Sequence, residues 1–166
     1  MATITASDVL GGALDLLPDE THWIVGDYCA GGPVEGSRCY CLDGALIEMS
    51  GGTITDYDQE GMSIARPPSN DADREAYTRA VFLLYEAVTG RLRDLFKPSA
   101  DREVSPLHVA RGTIHEWQDG DSGPTKLPAK YARTKHGKAA EGFPSVRAAL
   151  ELALELDSIE WFDIIE

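Results

Sequence analysis

Arg38-Cys-Tyr-Cys-Leu-Asp-Gly-Ala-Leu-Ile-Glu-Met-Ser50-Gly51-Gly52 is the densest small-and-apolar stretch of the chain and holds two of its three cysteines. Cys41, Leu42, Ala45, Leu46 and Met49 recur at i, i+1, i+4, i+5 and i+8, which is one face of a helix. Gly44 and Ala45 are small enough for another helix to pack close. Ser50-Gly51-Gly52 ends the run, because glycine takes the left-handed cap conformation without penalty. The stretch predicts a central, buried helix.

Upstream, His22 to Cys29 is extended in character and rich in β-formers. Ala30-Gly-Gly-Pro33 breaks it, and Ser37 to Tyr40 returns as a partner strand, so a short hairpin is expected. Further back, Val9, Leu10, Ala13, Leu14 and Leu17 mark a helix over Ala6–Leu17, capped by Thr5 with Asp8 and stopped by Pro18. Gly11 and Gly12 weaken that helix or admit a close neighbour.

Downstream, Thr53 to Asn70 has no period and reads as loop. A long helix begins near Asp71, capped by Asn70 or Asp71. Tyr77, Ala80, Val81, Leu84 and Val88 face inward, continued by Leu92, Leu95 and Phe96. Gly90 is the point at which it would split, and Pro98 ends it. Ser105-Pro106 starts another helix, with Leu107, Ala110, Ile114 and Trp117 inward, ending near Gln118-Asp119-Gly120. Residues 119–142 read as a long polar loop. A last helix runs from about Pro144 to Leu156, with Val146, Ala149, Leu150, Ala153 and Leu154 inward.

The fold class expected is therefore mainly α: a compact bundle of about five helices with at most a short β-hairpin near residues 22–40. Its 166 residues fit a single helical domain over 1–157, with an acidic, aromatic tail at 158–166. No apolar run reaches the roughly 18 residues that span a bilayer. Met1 to Leu10 lacks a basic segment and carries Asp8, against a signal peptide. Three cysteines in such a chain fit a reducing cytoplasm.

The net charge of −13 is uneven. Residues 1–60 carry eleven acids and one base, Arg38, whereas residues 111–140 carry six bases and three acids. An excess of acid disfavours direct nucleic-acid binding, which needs a basic face.

In sequence order, Trp23-Ile-Val-Gly26, Cys41-Leu-Asp-Gly-Ala-Leu46 and Ile114-His-Glu-Trp-Gln-Asp119 precede a final Leu/Ala-rich helix. This pattern of Trp23, Gly26, Cys41, Gly44, Leu46 and Trp117 resembles a domain-of-unknown-function family of actinobacteria and their bacteriophages. The resemblance implies a mostly helical domain and a phage accessory protein; it brings no catalytic residues. Gln118 stands where the family commonly has Asn, the loop over 120–142 is longer than usual, and the tail after Leu156 is additional.

The motifs that suggest chemistry are each incomplete. His115 and Asp119, at i and i+4 with Glu116 between, echo a zinc helix, but Asp119 replaces the second histidine. His108 and His115 are two turns apart, too far to chelate one ion. His22, Cys29, Cys39 and Cys41 are soft donors, yet Cys41 sits on the apolar stripe where a thiol behaves as a small hydrophobe. A Cys29–Cys39 disulfide would cross the hairpin. Asp56, Asp58, Glu60 and Gly61 match half of a calcium loop, whose twelfth position is Pro67 instead of Glu. Ser63 in Gly61-Met-Ser-Ile-Ala65 only echoes a nucleophile elbow.

The surface elements are the stronger candidates. Lys126, Lys130 and Arg133 in the basic loop, and Trp161, Phe162, Ile164 and Ile165 in the tail, have the makeup of a recognition surface, aromatic groups rimmed by charge. The sequence thus points to a non-enzymatic accessory factor that binds a host or cellular protein, with no cofactor and no membrane partner. The alternatives are a metal-dependent enzyme at His115/Asp119 and an acidic mimic of nucleic acid.

Overall fold

A computed structural model describes residues 3–24, 28–31, 38–55, 64–97, 104–118 and 143–157. Among these, six α-helices and two small antiparallel sheets of two strands each make the chain mainly helical, as expected. By internal contacts it divides into two units, Met1–Ala80 and Val81–Glu166, with the boundary inside the third helix.

The first unit starts with α1 (Ala6–Leu16). The Thr5 hydroxyl accepts the Asp8 N–H at 3.2 Å, and the Asp8 carboxylate accepts the Thr5 N–H at 2.9 Å. Two of the free donors at the helix start are thereby satisfied reciprocally. Val9, Leu10, Ala13 and Leu17 are buried as the spacing predicts, and α1 packs on α2. The side chain of Met49 lies over Gly12, where a β-carbon would collide with it. Gly12 is therefore the position of close approach, while Gly11 has open space.

After Pro18 comes a 3₁₀ turn, Glu20–His22, which takes in only His22 of the segment expected to be extended. β1 (Cys29–Gly31) and β2 (Arg38–Tyr40) then form a hairpin within residues 22–40 as expected, pairing Cys29 with Tyr40, Ala30 with Cys39 and Gly31 with Arg38. However, β1 begins where the expected strand ended and takes in Ala30 and Gly31 of the expected break. The Ile24 N–H adds a 3.1 Å bond to the Tyr40 carbonyl, beside the Trp23–Tyr40 bridge.

The stretch from Arg38 to Met49 is thus a strand, a cap and a helix in succession. α2 begins only at Leu42 and ends at Met49. Cys41 is its N-cap, with Sγ accepting the Gly44 N–H at 3.2 Å. Leu42, Ala45, Leu46 and Ile47 are fully buried, wider than the single stripe predicted. Full burial of the Leu42, Leu46 and Ile47 side chains contributes roughly 1.5–3 kcal/mol each. The close neighbour at Gly44 is the backbone at Tyr28, not another helix; a β-carbon would strike the Tyr28 carbonyl oxygen. The helix ends as predicted. Gly51 takes φ +84, its N–H bonds Glu48 O at 3.3 Å, and Gly52 N–H bonds Ile47 O at 2.9 Å. That pair of bonds is the Schellman motif.

The expected loop over residues 53–70 contains a second hairpin, β3 (Thr53–Thr55) with β4 (Ile64–Arg66). Three-residue strands are too short to show a period, which is why the pattern missed them. α3 (Asp71–Thr89) follows, with Asn70 as its cap: Asn70 Oδ1 accepts the Asp73 N–H at 3.0 Å.

In the second unit, Val81, Leu83, Leu84, Ala87 and Val88 of α3 are all but fully buried, and Phe82 and Tyr85 nearly so. Burial on every side marks a helix inside a core. Gly90, at φ +65, separates it from α4 (Leu92–Leu95), as anticipated. Phe96, expected inward, is 40 % exposed and meets Phe82 edge to face at 5.2 Å. α5 (Pro106–Gln118) packs on α4 and is capped by Ser105, whose hydroxyl accepts the His108 N–H at 3.2 Å. α6 (Phe143–Asp157) buries Val146, Ala149, Leu150 and Ala153.

Candidate functional site

Polar groups gather at the turn between α1 and the first hairpin. Asp19 Oδ1 accepts from the Thr21 N–H at 2.9 Å and the Thr21 hydroxyl at 2.5 Å, and lies 2.9 Å from His22 Nδ1. A 3₁₀ turn brings residues i and i+3 into register, which sets His22 against Asp19. The Thr21 hydroxyl, then the His22 ring, hold the Asp19 carboxyl below the ordinary carboxylate range. The Cys39 thiol donates to the Thr21 carbonyl at 3.1 Å, tying the turn to β2. Burial, then the Asp19 carboxylate, push the Cys39 thiol up, so it stays protonated and poorly nucleophilic.

A second polar group lies inside the first unit. Asp43, in the first turn of α2, is only 2 % exposed and accepts the Tyr77 hydroxyl of α3 at 2.6 Å. A side-chain hydrogen bond in so dry a place is strong and directional, and it ties the first turn of α2 to α3.

A third feature is electrostatic. Asp8 and Asp15 lie seven apart on α1, hence on one face, and both are exposed; Asp19 and Glu20 are exposed in the turn beyond. Residues 3–24 contain no Lys or Arg to offset them. The Thr5 side chain, then its backbone N–H, hold Asp8 below its ordinary range, so that carboxylate stays ionised further into acid.

The sequence-predicted positions fare unequally. Trp23 is half-buried beside β2, Leu46 and Trp117 are core, and Cys41 and Gly44 build the start of α2. Gly26 lies outside the described residues. His115 is half-buried on α5, and Asp119 lies outside the described residues. His22 and Cys39 meet through Thr21, but Cys41 turns its sulfur to Gly44 N–H. Cys39 and Cys41 are free thiols, and Cys39 faces Ala30 in the register where a disulfide to Cys29 was considered. Among the described residues no group of three or more His, Cys, Asp or Glu is placed to hold a metal ion.

Asp56 to Gly61 lie outside the described residues, but strands flank them where a calcium-binding helix–loop–helix would have helices. Ile64–Arg66 likewise forms a strand where a nucleophile elbow at Ser63 would lead into a helix. Lys126, Lys130, Arg133, Trp161, Phe162, Ile164 and Ile165 all lie outside the described residues. No helix among the described residues is long and apolar enough to cross a membrane.

No sequence motif singles out Asp19, Thr21, Asp43 or Tyr77 as a site residue. Asp19-Glu-Thr21 directly after Pro18 was a legible turn signal. Asp43 was legible as an acid inside an apolar stretch, but its partner is 34 residues away.

The described chain is mainly helical, with two small hairpins and a polar turn after α1. It belongs to the Family of unknown function (DUF6197), whose model matches residues 1–126, α1 through α5. No curated protein and no solved structure matches the chain.

Proposed function

We propose that the chain is a non-enzymatic accessory factor that binds a basic host protein, encoded by an actinobacterial phage and acting in the host cytoplasm. The observation that carries this reading is the anionic face of α1 and its following turn, with Asp8, Asp15, Asp19 and Glu20 exposed. Such a face steers a basic protein surface toward it and repels nucleic acid. The basic loop around Lys126, Lys130 and Arg133 and the tail residues Trp161, Phe162, Ile164 and Ile165 supply the remaining contacts in this proposal. Family membership is compatible with the reading and adds no activity to it.

The test uses the full chain as bait in an actinobacterial lysate, with mass spectrometry of what is retained. Asp15 and Glu20 are the residues to reverse, since neither serves as a cap. Wild type should retain one partner, and Asp15→Lys/Glu20→Lys should weaken that retention and flatten its salt dependence. Removal of 158–166 should weaken it independently. Retention indifferent to salt, to the charge reversal and to the truncation would discard the proposal. The same anionic face favours a second reading, an acidic mimic of nucleic acid. It predicts that duplex DNA competes with the chain for the captured partner.

A further inference from the structure

We draw no further inference here: the strongest candidate, the Asp19–Thr21–His22–Cys39 cluster at the turn between α1 and the first hairpin, carries nothing because its hydrogen bonds close that turn onto β2, its cysteine is buried, and nothing among the described residues points to a ligand.

Discussion

Replacing Gly44 by alanine separates a glycine required by close packing from glycines that are merely tolerated. The new methyl group would collide with the Tyr28 carbonyl oxygen and sit 3.0 Å from its carbon. Both are backbone atoms, so no rotamer change can relieve the contact. The same oxygen accepts the Cys41 N–H at 3.2 Å, so pushing it away also loosens the entry to α2. Overpacking of this kind costs about 1–3 kcal/mol, and a lost backbone bond about 1 more. Higher helix propensity returns about 1 kcal/mol. The net loss is roughly 1–3 kcal/mol, a fall in Tm on the order of 3–10 °C for a chain of this length. Urea titration followed by far-ultraviolet circular dichroism measures it, with Gly112→Ala as control. A β-carbon at Gly112 meets nothing within 4 Å, so that variant should gain about 0.5–1 kcal/mol. If Gly44→Ala proves as stable as wild type or gains as Gly112→Ala does, the close approach of Tyr28 to α2 is wrong.

Tyr77→Phe leaves the ring packed but withdraws the hydroxyl from Asp43, and should cost about 1.5–3 kcal/mol in the same titration; a loss under about 0.5 would show that the bond does not matter. Thr5 holds Asp8 below its ordinary value, so the folded α1 gains from the ionised carboxylate above roughly pH 4 and loses that support as pH falls through the depressed value. The protection factors of the amides at the start of α1, after correction for the intrinsic pH dependence of exchange, should accordingly fall on acidification, and Asp8→Asn should abolish that fall. In a Cys29→Ser background, Cys39 and Cys41 should resist a thiol reagent at pH 8 and react fully in guanidinium, because both are buried. Rapid native labelling of two thiols would contradict that burial.

The legible part of the fold is the part with a period or a stop signal. α1, α3, α5 and α6 were readable because apolar residues repeat every three or four positions, and Gly51 and Gly90 marked real breaks through their positive φ. Cys41 was misplaced within α2 because cysteine fits the apolar stripe; nothing local shows its sulfur accepting a backbone N–H. The second hairpin was invisible because Thr53–Thr55 and Ile64–Arg66 are too short to alternate measurably. Phe96 kept the helical spacing of its neighbours, but α4 ends at Leu95 and Phe96 is its C-cap, 40 % exposed. Of the candidate site, the acidity of residues 1–60 was plain in composition, whereas its concentration on one face of α1 needed helix geometry. The Asp43–Tyr77 pair joins residues distant in sequence, and single-residue chemistry cannot reveal such a partner.

The Cys41 N–H reaches out to the Tyr28 carbonyl, while the Cys41 sulfur reaches back to the Gly44 N–H. One residue therefore serves the approach to the first hairpin and the first turn of α2 together. Peeling the hairpin away would expose the start of the helix, and fraying that start would release the hairpin. The two should open as one cooperative unit, so the Cys41 and Gly44 amides should report the same opening free energy in hydrogen exchange.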